Sequence, residues 1–529
     1  MLSTTKRYLL LACLAGLFSL PGRLQAQQPK PKAIPKQPAA PAKLAVQKIA
    51  GAKPRNVIFI LSDDHRHDFM GFTGKVPGLE TPHMDRLAKE GAHFQNAFVT
   101  TALCSPSRAS ILTGQYAHTH TVVDNAAPAP ASLLFFPQYL QAAGYQTAFF
   151  GKWHMGGDNP DPRPGFHHWE SFRGQGVYYN PTLNINGKTV AYKDSTYVTE
   201  LLTDHAIGWL KKRPQNKPFF LYLSHKAVHS EFMPAKKDKG RYRNIQIQYP
   251  ASMFLTETAN SPKFVKGRRA DGSEYTFNTQ DIPNWVRAQR HSWHGVDYMY
   301  HGATDFDAFY QDYLETLLGI DTSIGQVLAY LKETGQDQET LVFYMGDNGF
   351  SFGEHGLIDK RHAYEESMRV PLLARCPALI KPATTIKQMV LNLDIAPSIL
   401  EMAGVKKPAQ MQGESFLPLL KQESPKWRDR IFYEYYWENA FPQTPTMFSV
   451  RTDRYKFIRS QGVWDINELY DLEQDPYEVN NLIRSPAHQA LGQQLNKELW
   501  DWLGQTKGLQ IPLKPIKGKK GDHLYKGTW

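Results

Sequence analysis

Val57-Ile58-Phe59-Ile60-Leu61-Ser62-Asp63-Asp64 is the stretch on which the fold turns. An unbroken apolar run rich in β-branched residues suits a strand buried on both faces, and such strands belong to parallel sheets covered by helices. Three other runs read the same way. Thr147-Ala148-Phe149-Phe150 leads into Gly151-Lys152-Trp153-His154, Phe219-Phe220-Leu221-Tyr222-Leu223 leads into His225, Lys226 and His229, and Leu341-Val342-Phe343-Tyr344-Met345 leads into Asp347-Asn348-Gly349. Each run ends in charged or imidazole side chains. Ligands of doubly wound sheets bind beyond the carboxyl ends of the strands, so the four runs predict one site fed by four strand ends.

Working outward, helical patterns over 84–90, 137–143, 199–212, 309–334 and 393–403 alternate with the strands. That alternation predicts an α/β fold with a central mixed, mostly parallel sheet flanked by helices. Near residue 425 the texture changes. Segments 430–436, 447–451, 455–459 and 468–472 read as short strands, followed by a helix over 487–503. The expected organisation is therefore a large catalytic domain over 55–425 and a smaller α+β domain with an antiparallel sheet over 426–513.

The ends have a different character. Lys6 and Arg7 precede an apolar run over 8–20, and Leu24-Gln25-Ala26 ends in a small residue, which marks residues 1–26 as a signal peptide. Residues 27–54, rich in Pro, Ala, Lys and Gln, read as a linker, and 514–529 as a basic tail. An exported chain, periplasmic or extracellular, with no transmembrane segment after processing is expected. The net charge of +11 sits in these ends: everything up to Arg55 lacks an acid, and the tail sets five Lys against Asp522. The body between is close to neutral, so a nucleic-acid partner is not expected. Of the three cysteines, Cys13 leaves with the leader, and Cys104 and Cys376 are too few for a disulfide framework. Cys376, in the apolar run 370–376, reads as a buried structural thiol.

Cys104 stands in Cys104-Ser105-Pro106-Ser107-Arg108, ahead of a helical stretch closed by Gly114. Pro106 suits a first helical turn, which puts Cys104 at a helix N-terminus, where free N–H groups and the dipole favour anions. A bare cysteine there reads as core. The pentapeptide, however, matches the Cys-x-Pro-x-Arg signature, and the chain resembles the type I, formylglycine-dependent sulfatases of the alkaline-phosphatase-like superfamily. The resemblance runs from about residue 54 to 482 in family order, through Asp63-Asp64, Gly151-Lys152-Trp153-His154, Ser224-His225-Lys226 with His229, Asp347-Asn348-Gly349, Gly353-Glu354-His355-Gly356, Lys360 and Glu468-Leu469-Tyr470-Asp471-Leu472.

Asp63, Asp64, Asp347 and Asn348 offer only oxygens, the donor set of a hard cation. The resemblance assigns them to Ca2+, with Cys104, converted to 3-oxoalanine (formylglycine) by a separate maturase, completing the shell. It further implies that Asp347 acts as base for attack by the hydrated aldehyde and that Arg108 holds the hydrate. Lys152 and Lys360 would neutralise sulfate oxygens, His229 would protonate the leaving alcohol, and His154 would help expel sulfate. Asn348 favours calcium and sulfate, because phosphodiesterases and phosphonate monoester hydrolases of the superfamily commonly carry His there.

For the substrate, the segment 115–125 with Asp124 and Asn125 resembles N-acetylglucosamine-6-sulfatases more than arylsulfatases. A sulfated saccharide is expected, in the finer reading a 6-O-sulfated N-acetylhexosamine. Asp124, Asn125, Arg361, His362 and His118 are the candidate specificity residues, and the aromatic-rich stretch 231–300 is a candidate sugar wall. The alternatives are an arylsulfatase of broad specificity or a phosphodiesterase or phosphonate monoester hydrolase. A non-enzymatic glycan receptor would be expected to lose the nucleophile or a metal ligand, and none is missing.

Overall fold

A computed structural model describes residues 44–155, 159–254, 264–268, 274–278, 281–461, 465–510 and 512. The leader, most of the linker and the basic tail lie outside the described residues.

The four quoted runs become β1 (Asn56–Ser62), β3 (Gln146–Gly151), β7 (Phe219–Ser224) and β8 (Thr340–Gly346). With β2 (Ala92–Phe94), β4 (His168–Phe172), β5 (Thr182–Ile185), β6 (Lys188–Ala191), β9 (Leu372–Arg375) and β10 (Thr384–Ile386) they form one sheet in the order β10-β2-β9-β8-β1-β7-β3-β4-β5-β6. The central strands β8, β1, β7, β3 and β4 are parallel, and the antiparallel pairings lie toward the edges. The four site-bearing strands are thus adjacent, with their carboxyl ends on one edge.

Side-chain alternation explains why β1 is apolar throughout. Val57, Phe59 and Leu61 join one buried cluster and Ile58 and Ile60 the other. The first face is covered by α2 (Cys104–Thr113), α3 (Phe136–Ala142) and α6 (Ile395–Met402), the second by α1 (Pro82–Glu90), α4 (Val198–Lys212) and α5 (Phe306–Glu333). Helix α5 starts three residues before the periodic pattern does. Its Asp305 side chain accepts from the N–H groups of Asp307 and Ala308 and so satisfies the exposed end of the helix.

The C-terminal segments form β11 (Arg430–Tyr435), β12 (Thr446–Thr452), β13 (Tyr455–Gln461) and β14 (Glu468–Asp471), an antiparallel meander covered by α7 (Gln489–Gln505). Its inward residues Ile431, Tyr433, Val450, Phe457 and Leu469 belong to the same buried cluster as Val57 and Phe59. Residue 425 therefore marks a change of sheet, not the edge of an independent core. The expected linker also ends earlier than residue 54. Leu44 and Val46 pack on the core, Lys48 bridges Val405, and Ile49 N–H donates to Gly404 at 2.8 Å. Among the described residues no helix is long and apolar enough to cross a membrane.

Candidate active site

Helix α2 is buried along its whole length, and Gly114 closes it in the left-handed conformation at φ 66°. Cys104 is its first residue and Arg108 lies one turn on, so both side chains face the same way. Arg108 spans three strand ends. Its Nε donates to Asp347 Oδ2 at 2.8 Å after β8, and one terminal nitrogen donates to Ser224 Oγ and to the Lys152 carbonyl, each at 2.7 Å. The close approach of β3 to β7 needs Gly151, where an added Cβ would stand 1.8 Å from the Ser224 carbonyl oxygen.

Asp63 and Asp64 leave β1 together. In an extended strand neighbouring side chains diverge, but Asp64 adopts φ 53°, a left-handed turn that aspartate tolerates better than most residues. Its N–H donates to Asp347 Oδ1 at 3.1 Å. Potential ligand atoms of Asp63, Cys104 and Asp347 lie within 4.8 Å of one another, and Cys104 Sγ is 3.4 Å from Asp63 Oδ1. Lys152 pairs with Asp63, and Lys360 reaches Asp64 Oδ2 at 2.6 Å. His229 Nε2 lies 3.9 Å from Asp64 Oδ2, and its backbone carbonyl accepts from Tyr178 Oη at 2.6 Å. His154 Nδ1 is 3.5 Å from Ser105 Oγ. The structure thus gathers Asp63, Asp64, Cys104, Arg108, Lys152, His154, His229, Asp347, Asn348 and Lys360 at one place.

The electrostatics follow from burial and crowding. Burial alone would raise Asp63, but Lys152, His229, Arg108 and Lys360 hold it well below the usual carboxylate range. Burial, with Asp63, Asp347 and Asp359 adding to it, lifts Asp64 to about 7 against the pull of Lys360. Burial and the neighbouring Lys152 hold His154 and His229 well below the ordinary imidazole value. Burial, reinforced by Asp63, pushes the Cys104 thiol far up, so the unmodified side chain is a protonated and poor nucleophile.

The donor set fits a hard cation. Asn348 Nδ2 donates to Asp64 Oδ1 at 2.7 Å and to the Gly349 carbonyl at 2.9 Å. That leaves Asn348 Oδ1 buried with no hydrogen-bond partner among the described residues. A buried acceptor among carboxylates calls for a cation.

The specificity candidates divide. Asn125 Oδ1 accepts from Ser105 N–H at 3.0 Å, beside the nucleophile, and Asp124 Oδ1 accepts from Ala126 and Ala127 N–H in the turn that carries it. The other three side chains have partners within the protein. His118 pairs with Glu434 at 2.7 Å and packs edge-on to Trp502, and His362 Nε2 meets Ser351 Oγ at 3.1 Å with its ring against Tyr364. Arg361 binds Asp359 and Glu438 and lies over Phe441. One ring nitrogen of each histidine and the Arg361 charge are thus engaged inside the protein, while Arg361 N–H donates to the Ala102 carbonyl at 3.1 Å, two residues before Cys104. Of the aromatic-rich stretch, residues 255–263, 269–273 and 279–280 lie outside the described residues. His294 and Tyr300 turn inward onto Asp359. A cleft of about 390 Å³ is lined by Ser230, the residue after His229, and by Glu231, Phe232, Tyr300, His301 and Asp305 among others. Ser224, Ser105, Tyr178 and Asp359 were not among the expected residues. Ser224 lay inside a quoted motif, whereas Asp359 carried no signal beyond its place next to Lys360.

The sulfatase family profile matches residues 55–405, and the profile for the C-terminal part of N-sulphoglucosamine sulphohydrolase matches 353–505. An N-acetylglucosamine-6-O-sulfatase of Bacteroides thetaiotaomicron is 34% identical over 497 residues, covering 86% of each chain. A solved structure in complex with its substrate, D-glucosamine-2-N,6-O-disulfate, aligns with a TM-score of 0.73 at 31% identity over 88% of this chain and 100% of the other. A phosphonate monoester hydrolase of Agrobacterium radiobacter shares the fold, with a TM-score of 0.67 at 22% identity over 86% of this chain and 96% of that one.

Proposed function

Because this chain belongs to the sulfatase family, and so is a sulfuric ester hydrolase, we propose that its substrate is a sulfated saccharide carrying a 6-O-sulfated N-acetylhexosamine. The observation that carries this reading is the near full-length likeness to an N-acetylglucosamine-6-O-sulfatase. The cleft that begins at Ser230, the residue after His229, gives the rest of the saccharide a place to lie.

In this reading Asp63, Asp64, Asp347 and Asn348 hold Ca2+, and Cys104 is converted by a maturase to 3-oxoalanine. When bound, the cation draws charge from the sulfate oxygens, and the modified side chain supplies the nucleophilic oxygen. The chain's own residues do the rest. Lys152 and Lys360 flank the carboxylates and neutralise charge as it builds on the sulfuryl group. Arg108 fixes Asp347, the base that takes a proton from the position-104 side chain. His229, its Nε2 3.9 Å from Asp64 Oδ2, donates a proton to the departing sugar oxygen. Neutral in the free protein, it gains basicity when the sulfate anion enters beside it. His154, its Nδ1 3.5 Å from Ser105 Oγ, takes the last proton as sulfate leaves. The leader 1–26 carries the chain out of the cytoplasm, to the periplasm or beyond, which cell fractionation tests.

The test uses full-length protein made in cells with a formylglycine maturase. Sulfate release from 6-O-sulfated N-acetylglucosamine is expected, together with a peptide containing position 104 about 18 Da lighter than the thiol form. Turnover of an aryl phosphate or phosphonate with no action on any sulfate ester would favour the hydrolases that share only the fold.

A further inference from the structure

Lys360 is presented by a backbone that a residue with a Cβ avoids. It stands between two non-glycine residues in the left-handed region, Asp359 at φ 89° and Arg361 at φ 87°. Such a conformation persists only where surrounding contacts over-determine it. Asp359, 1% exposed, gathers those contacts. Tyr300 Oη donates to its Oδ1 at 2.9 Å, His294 Nδ1 lies 2.9 Å from its Oδ2, and Arg361 pairs with the same oxygen. Lys360 Nζ is 3.7 Å from Oδ1. Arg361 is clamped in turn, with Nε donating to Glu438 Oε2 at 2.8 Å and its guanidinium 3.4 Å from the centre of the Phe441 ring. Lys360 is thereby gripped from the 294–300 segment on one side and from the C-terminal region on the other.

A lysine ammonium on its four-carbon stem has many rotamers, and a transition state rewards only the one that points at it. Asp64 belongs to the oxygen-donor set, so the carboxylate outside that set within reach of Lys360 is Asp359. We propose that Asp359 is a positioning residue, which acts through Lys360 by holding the ammonium over the sulfate site. Arg361 and Tyr300 are the struts that hold Asp359. This rests on the reading of Lys360 as a sulfate-binding cation.

The test is a double-mutant cycle on an activated aryl sulfate, which frees it from the identity of the saccharide. Asp359→Asn keeps the shape, and asparagine tolerates positive φ. It should lower kcat on the order of 10- to 100-fold in the wild-type background. In a Lys360→Ala background it should have no further effect, because the group it positions is gone. An equal loss in both backgrounds, or no loss in either, overturns the proposal. Should Asp359→Asn not fold, Tyr300→Phe decides in the same way. A loss of about threefold confined to the Lys360 background supports the proposal, and an equal loss in both or none overturns it. Full activity in Lys360→Ala alone would remove the reading of Lys360 and this inference with it, a result none of the other outcomes resembles.

Discussion

At the carboxyl ends of β1 and β8, Asp63, Asp64 and Asp347 lie buried with Arg108, Lys152 and Lys360. Where the C-terminal sheet meets the large one, Glu365, Glu366, Glu468 and Glu478 lie equally buried with Arg451 and Lys456. The inventories are alike, and the difference lies in how surplus acceptors are satisfied. At the junction, Lys456 donates to the Ala363 carbonyl at 2.9 Å and pairs with Glu365 and Glu478 at 2.9 and 2.7 Å, while Arg451 brackets Glu365. Glu366 and Glu468 each keep one oxygen without a hydrogen-bond partner among the described residues. A carboxylate can meet that by taking up a proton. Burial lifts Glu366 well above its ordinary value and Glu468 to about 7. At the strand ends the orphan is the amide oxygen of Asn348, which a proton does not relieve at any ordinary pH. Buried charge is thus weak evidence of function. A buried neutral acceptor among carboxylates and beside a nucleophile is much stronger.

That contrast can be broken in four places. The largest effect is expected from Cys104→Ala, which should lower sulfate-ester turnover by about 10^4-fold or more while leaving thermal unfolding nearly unchanged. Activity surviving in that variant would dissolve the distinction between the two clusters. Next, Lys456→Met should cost about 3–5 kcal/mol of stability by leaving buried carboxylates unpaired. The kcat of the folded fraction should not move, and equilibrium denaturation beside a turnover assay reads both. Calcium withdrawal by a chelator should lower the melting temperature and abolish activity, since a ligand held at 100 times its Kd contributes about 2.7 kcal/mol. Lys456→Met should respond to the chelator as the wild type does, and a lost response would place the cation at the junction instead.

The smallest effect is a pH slope. Glu468 ionises near 7 in the folded chain and near 4.5 unfolded, because burial disfavours its charge. Between those values the folded state holds a proton that the unfolded state has lost, so stability falls as pH rises from about 4.5 to 7. Glu468→Gln should flatten that fall and gain about 1–3 kcal/mol at pH 8. An unchanged slope in urea titrations at pH 5 and 8 would show that the junction does not use protonation.

Much of this was legible in the chain. The runs at 57–61, 147–150, 219–223 and 341–345 became adjacent strands, because double-sided burial leaves an uninterrupted apolar signature. The Cys104 pentapeptide became a helix start, because proline placement and a glycine stop are local rules. What His118, Arg361 and His362 touch was not legible, for the opposite reason. Their partners Glu434, Glu438 and Ser351 lie on other elements, and no local pattern pairs them.

The order of residues alone determined which strands would be buried, where the nucleophile's helix begins and which donors suit a hard cation. Those properties depend on periodicity and side-chain chemistry within a few residues. The fold alone decided which groups meet: Lys360 with Asp64 across 296 positions, Tyr300 with Asp359 across 59. Parallel strands joined by long crossovers bring distant segments to a common edge, and no local pattern records which side chains will face one another there.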